Sequence, residues 1–235
     1  GEKILNFIDK GDQQRKSGFI GLQCNIGKIE FRNIMLKPAE LTDLFDDHTL
    51  NGWREVPDSK SKFQATSHTL HVVNGPGFLE TEKTFADFVL QANLRTNGKA
   101  LNSGIFFRAM KGSKATPSNG YEIQIHNGYD NGDRTQPNNA GTGAIFRRNT
   151  VRMVASNDQE WTALTLIANG PHFSVWVNGL QVTDWTDERK PDVNPRKGQR
   201  LKAGHISLQG HDPTTDLYFK DIRAAEIPST SAAAE

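Results

Sequence analysis

Short runs in which side chains alternate one for one constrain this chain more than any other feature. Phe88, Leu90, Ala92 and Leu94 alternate with Val89, Gln91, Asn93 and Arg95. Tyr121, Ile123 and Ile125 alternate with Glu122, Gln124 and His126. Phe173, Val175 and Val177 alternate with His172, Ser174 and Trp176. A period of two is the signature of a strand with two distinct faces. Val177-Asn178-Gly179-Leu180 predicts a type I′ hairpin, because Asn-Gly supplies two positive φ angles. No amphipathic pattern longer than two helical turns competes. Asp43 to Asp47 is open between a helical turn and a short strand burying Leu44 and Phe45. Most of the 21 glycines and 10 prolines fall between the alternating runs. Many short strands with closely spaced turns predict an all-β fold, a two-sheet antiparallel jelly-roll sandwich.

One segment occurs twice. Residues 18–34 read GFIGLQCNIGKIEFRNI and residues 204–222 read GHISLQGHDPTTDLYFKDI. Gly18 and Gly204 are 186 residues apart, the length of one all-β domain. The expected organisation is therefore the C-terminal strands of a preceding partial repeat over 1–38, a complete jelly-roll domain over 39–228, and a low-complexity tail over 229–235. A preceding homologous domain is thus an expected partner, and residues 1–38 are expected to pack, because exposed strands seek partners. The copies differ at one telling place: His211 follows Gln209-Gly210, whereas Asn25 follows Gln23-Cys24. That contrast points to a site only one copy keeps.

Bulk properties exclude several classes. With 28 basic and 27 acidic residues the net charge is +1, so overall electrostatics favours no nucleic acid. No stretch approaches the roughly 20 apolar residues of a membrane span. Cys24 is the single cysteine, which excludes an internal disulfide and a cysteine metal cluster.

Chemistry concentrates on the strand Tyr121–His126. Glu122, Gln124 and His126 share one face, where a carboxylate, an amide and an imidazole can bind hydroxyls, hold a cation or exchange protons. The alternative is a solvated outer face. Asn102, Arg108 and Arg147 supply further polar groups nearby. Arg147 and Arg148 are adjacent, so at most one of them enters a given cleft. Arg108 is open between a ligand role and a cross-strand ion pair. His211 is a site candidate through the contrast with Asn25. His48, His68, His71, His172 and His205 share no spacing and read as structural or exposed. Trp53, Trp161 and Trp176 default to the core. Trp185 is the indole to consider as a sugar platform. The long polar segments 127–142 and 185–202 are expected at the rim of a site. Asp130 and Asp133 do not follow an EF-hand pattern and read as a solvated loop.

Taken together, LFDDHTLNGW at 44–53, NSGIFFR at 102–108, GYEIQI at 120–125, GTGAIFR at 141–147, EW at 160–161, WVNG at 176–179, ISLQGHD at 206–212 and FKDI at 219–222 resemble the 3-keto-disaccharide hydrolase family. The resemblance covers about residues 41–228. It implies a concanavalin A-like lectin/glucanase fold, a secreted or periplasmic protein, and a carbohydrate partner. It also implies hydrolysis or elimination of a 3-keto-glycoside through removal of the C2 proton. That chemistry needs a base, an enolate stabiliser and hydroxyl-binding groups. Glu122 or His211 is the expected base, with Arg108 the stabiliser. Gln124, Asn102, Gln209, Arg147 and Trp185 are expected to bind substrate. Glu122 with His211 or His126 is the expected set for a divalent metal, calcium or a transition metal. Two other readings stand beside this one. The first is a carbohydrate-binding module without catalysis. The second is an interaction module, which would present a flat apolar patch.

Overall fold

The computed structural model describes residues 20–32, 41–116 and 119–228. The chain divides into two units, Gly1–Leu36 and Lys37–Glu235. Within the first, residues 20–32 form no strand, and Ile20, Leu22, Ile26, Ile29 and Phe31 are exposed. The rest of the 1–38 partial repeat, the packing expected of it, and the 229–235 tail lie outside the described residues.

The second unit is an antiparallel sandwich. One sheet contains β1 (Thr42–Asp43), β3 (Lys62–Thr66), β4 (Thr69–Val73), β6 (Phe88–Thr96), β9 (Thr162–Asn169), β10 (His172–Val177), β11 (Leu180–Thr186) and β13 (Asp216–Glu226). Its order is β11-β10-β9-β6-β13-β4-β3, with β1 on β13. The other contains β2 (Trp53–Glu55), β5 (Gly77–Phe85), β7 (Ser103–Met110), β8 (Asn119–Ile125) and β12 (Gly204–Gly210), in the order β2-β5-β12-β7-β8. The predicted all-β jelly-roll sandwich is the fold observed. The Asn178-Gly179 turn links β10 to β11 with φ of 51° and 81°, as the dipeptide requires. Neither option over Asp43–Asp47 is realised in full: a two-residue strand ends at Asp43, and Leu44 is only half-buried. The strand falls at Thr42–Asp43, and Phe45 is buried just after it.

The alternation decides which residues meet between the sheets. Ile105, Phe107, Tyr121, Ile123, Ile125, Ile206 and Leu208 point inward from the five-stranded sheet. They meet Leu90, Leu94, Leu164, Leu166, Phe173 and Phe219 from the other. The Phe107, Tyr121 and Phe173 rings lie within 5.2 Å of one another, centroid to centroid. Burial of this apolar surface, at about 25 cal/mol per Å², is the main term holding the sandwich together. Residues of opposite parity, including Phe106, Glu122, Gln124, Ser207 and Gln209, form the outer face of the five-stranded sheet.

The tryptophans divide. Trp53 is buried and donates its indole N–H to the Leu44 carbonyl at 2.6 Å. Trp161 and Trp176 were expected in the core but are only half-buried. Trp176 shares parity with His172 and Ser174, and Trp161 carries Arg95 and Lys220 over its ring at 5.2 and 4.3 Å. Both therefore sit on the outer face of the larger sheet.

Candidate functional site

A cavity of about 390 Å³ opens on the outer face of the five-stranded sheet. It is lined by Asn102, Glu122, Gln124, Phe146, Arg147, Arg196, Gln209 and His211. Six of these are sequence-predicted site residues, drawn from distant parts of the chain.

Strand register brings them together. Gly104 pairs with Gln124 and Phe106 with Glu122, while Ser207 pairs with Phe106. A Cβ at position 104 would fall 2.9 Å from Glu122 Oε1 and 3.0 Å from its Cγ, so the missing side chain at Gly104 makes room for the carboxylate. Residues 142–146 run along the free edge of β8. Gly143 N donates to Gln124 O and Phe146 N to Glu122 O, both near 2.9 Å. Gly143 has a φ of +98°, and a Cβ there would meet Val182 at 2.5 Å, so glycine is required for this approach. Arg147 follows with a φ of +64°, an uncommon backbone state for an arginine and one that clusters at functional sites. Arg148 instead donates to the Arg196 carbonyl at 2.8 Å, so only one of the adjacent pair lines the cleft.

His211 enters from the turn between β12 and β13. Gly75 lets this turn approach closely, since a Cβ there would fall 2.4 Å from Asp212 N. Thr215 Oγ1 accepts the amide protons of His211 and Asp212. His211 Nδ1 lies 2.8 Å from Asp212 Oδ2. The Thr214 hydroxyl, the His211 ring and the Thr214 amide hold the Asp212 carboxyl below its usual range despite partial burial. An ionised Asp212 can only accept, so Nδ1 carries the proton. Nε2 then faces the Asn102 amide nitrogen at 2.9 Å, and Asn102 Oδ1 accepts from Gln124 Nε2 at 3.0 Å. This chain of contacts selects the tautomer with its lone pair on Nε2.

Glu122 is buried, and burial pushes its carboxyl above the ordinary carboxylate range, opposed by Arg196. Glu122 Oε2 accepts from Arg196 Nη2 at 3.0 Å, and Oε1 has no hydrogen-bond partner among the described residues. The Arg196 guanidinium lies 5.1 Å from the Phe106 ring centroid. Gln124 Oε1 and Gln209 Oε1 are buried and unpaired. Such groups cost about 1–3 kcal/mol each unless something binds them.

Arg196 was not singled out from the sequence. It belongs to the 185–202 segment, whose expected place at the rim it confirms, but nothing in the sequence separates it from Arg189 and Arg200. The separation is tertiary. Asp187 is fully buried and receives Arg189 Nε and Nη2, the Tyr121 hydroxyl and the Arg189 amide. Burial pushes Asp187 up, but these hydrogen bonds outweigh it and hold the carboxyl below its usual range. The Tyr121 hydroxyl, pushed up to about 12 chiefly by burial, also accepts the Arg200 amide. Strand β8 therefore holds the loop from both faces, by Tyr121 inside and by Glu122 outside.

Four expectations about the site are corrected. Arg108 was open between a ligand role and an ion pair, and the resemblance made it the enolate stabiliser, a role that needs it in the cleft. A bulge between Phe107 and Met110 breaks the alternation, and Arg108 has a φ of +47°. Its guanidinium turns inward to 5.2 Å from the Phe173 ring. There it donates to the carbonyls of Ala86, Gly170 and Arg200 and pairs with Asp87, so it has no reach to a substrate. Trp185 pairs with Phe173 in the β10–β11 register and packs against the core, so it offers no platform in this cleft. His126 does not line the cavity; its Nδ1 accepts from Gly128 N at 3.2 Å. Its ring is held below the usual imidazole range, mainly by burial. Nor do residues 127–142 line it. Asp133 there accepts from Thr135 and Gln136 within its own turn.

The metal set expected from the sequence, Glu122 with His211 or His126, gains no third ionisable ligand. Among the described residues no three His, Cys, Asp or Glu side chains converge. Glu122 already faces Arg196 and Arg147, cations that oppose a further positive charge beside it.

Fold and cleft thus define a concanavalin A-like jelly roll with polar and ionisable groups converging on one sheet face. The 3-keto-α-glucoside-1,2-lyase-like domain model matches residues 40–225, and the chain belongs to that family. No curated protein sequence matches it. Among solved structures, a candidate glycosyl hydrolase from Parabacteroides distasonis superposes with a TM-score of 0.66 at 17% identity, covering 80% of this chain and 94% of that one. A second from the same organism gives 0.62 at 22% identity, covering 80% and 100%. The carbohydrate-binding module CBM66 from Bacillus subtilis gives 0.52 at 16%, covering 74% and 96%. At these identities the likeness is one of fold.

Proposed function

We propose that this domain cleaves 3-keto-glycosides by elimination, starting with removal of the C2 proton from a sugar ring oxidised at C3. The observation that carries this reading is the convergence of Glu122, His211, Arg147 and Arg196 with unpaired buried amides in one cavity of about 390 Å³. A C3 ketone acidifies the C2 hydrogen because the resulting charge moves onto the ketone oxygen. Glu122 and His211 are the groups able to carry protons there. Arg196 and Arg147, rather than Arg108, would stabilise the enolate. Gln124, Gln209 and Asn102 would hold ring hydroxyls. Expulsion of the glycosidic oxygen leaves a C1–C2 double bond, and later addition of water would give the hydrolysis product. Membership of a lyase-like family supports the elimination step.

A carbohydrate-binding module is the second reading. The unpaired Gln124 and Gln209 oxygens suit sugar hydroxyls without any chemistry, and the fold is shared with a binding module. Incubation of the chain with a 3-keto-disaccharide, with and without chelator, separates the two. Release of the leaving sugar is expected, undiminished by chelator. Saturable binding of unoxidised sugars with no release would instead make the domain a binding module.

A further inference from the structure

Both proton carriers lie in one cavity, yet their surroundings differ. His211 is backed by Asp212 on Nδ1 and presents Nε2, the arrangement that makes an imidazole a proton acceptor. A substrate hydroxyl that took the Asn102 amide would leave Nε2 free. Glu122 sits in a slot over Gly104, pinned through Oε2 by Arg196, with Oε1 left open. Its other ionisable neighbours are Arg147 and His211 itself. Among the described residues no second carboxylate shares the cavity lining.

Resting on the elimination reading above, we infer a division of labour: His211 Nε2 removes the C2 proton, and Glu122 Oε1 protonates the departing glycosidic oxygen. Asp212 is then a positioning residue that fixes the tautomer. In the step, the C2–H bond breaks and its proton passes to Nε2. Its electron pair forms the C1–C2 double bond by way of the enolate. The C1–O bond breaks, its pair stays on the leaving oxygen, and that oxygen takes the Glu122 proton. His211 is left protonated and Glu122 ionised, and exchange with water restores both. The raised affinity of the buried Glu122 for its proton fits an acid better than a base.

The two roles separate when C2 exchange and bond cleavage are read independently. A 3-keto-glycoside with a sugar leaving group is incubated in D2O, and deuterium at C2 and released sugar are followed by NMR for the wild type, Glu122→Gln and His211→Ala. In Glu122→Gln, C2 exchange above the uncatalysed rate should persist while sugar release falls about a hundredfold, because the base is intact and the acid is gone. In His211→Ala both should fall together. The loss in Glu122→Gln should shrink at least tenfold with a nitrophenol leaving group, which departs without a proton. Loss of exchange in Glu122→Gln, or exchange surviving in His211→Ala, overturns the division. Cooperative thermal unfolding of each establishes that both variants fold. If the wild type neither exchanges C2 nor releases sugar, the elimination reading itself fails, and the division with it.

Discussion

Glu122 shows how one position can carry opposing demands. Its carboxylate is buried over Gly104, which disfavours charge, and faces Arg196, which favours it. Burial is the larger influence, so the folded state raises the proton affinity above that of the unfolded chain. The sign follows. The contribution of Glu122 to stability is fully present below the ordinary carboxyl pKa and is lost as pH rises through the elevated folded value. Glutamine does not titrate. The melting temperature of Glu122→Gln minus that of the wild type should therefore increase as pH is raised from the acid range toward neutrality. A flat or falling difference in paired thermal melts would show that Arg196 dominates instead. Arg108 carries the complementary lesson. Its parity along β7 was legible in the sequence, but the bulge that reverses its direction was not. A fully buried guanidinium donating to three carbonyls and an aspartate serves as an anchor.

Among the elements, β8 and the loop after β11 form one functional piece. Tyr121 and Glu122 are adjacent, so they point to opposite faces, and each grips the same loop: Tyr121 through Asp187 and the Arg200 amide, Glu122 through Arg196. Tyr121→Phe removes one hydroxyl and leaves Asp187 and the Arg200 amide each short of a buried partner. The expected cost is about 1–3 kcal/mol. Trypsin should cut the variant faster between residues 189 and 202, and release of sugar from a 3-keto-glycoside should fall with it. Wild-type cleavage rates across that loop would show that its position does not depend on Tyr121. The value of long polar loops as signposts is also uneven. Segment 185–202 delivers Arg196 to the cleft, whereas 127–142 bonds within its own turns and to residues 151–158. Length and polarity do not tell them apart, although 185–202 carries six basic residues and 127–142 one.

At the scale of the whole molecule, sheet order limits the reaction class. Glu80 is the other buried carboxylate on the outer face of the smaller sheet, and Glu80, Ser207, Phe106 and Glu122 form one row across four strands. Three strand spacings separate the two glutamates, about 14 Å. Glu80 is further committed to Arg54 and to the Gly112 amide. Glycosidases that use two carboxylates hold them about 5–10 Å apart. Unoxidised nitrophenyl glucosides should accordingly be hydrolysed only at the uncatalysed background rate. Appreciable release of nitrophenol, lost in both Glu122→Gln and Glu80→Gln, would show that the two carboxylates do cooperate.

By itself the sequence determined the all-β class and, for β6, β8 and β10, the two faces and most of the residues on each. Period-two alternation is a local property, and it survives whatever the strands later pair with. Glu122 and Gln124 were legible for that reason, Gln209 through the family resemblance, and His211 through its contrast with Asn25 in the shorter copy. Only the tertiary structure decided which candidates meet. The bulge turned Arg108 inward, the pairing of Phe173 with Trp185 drew that indole onto the core, and the buried Asp187 network chose Arg196 from three arginines. Each of these choices depends on contacts between residues far apart in the chain, paid for by burial and hydrogen bonding that no local pattern encodes.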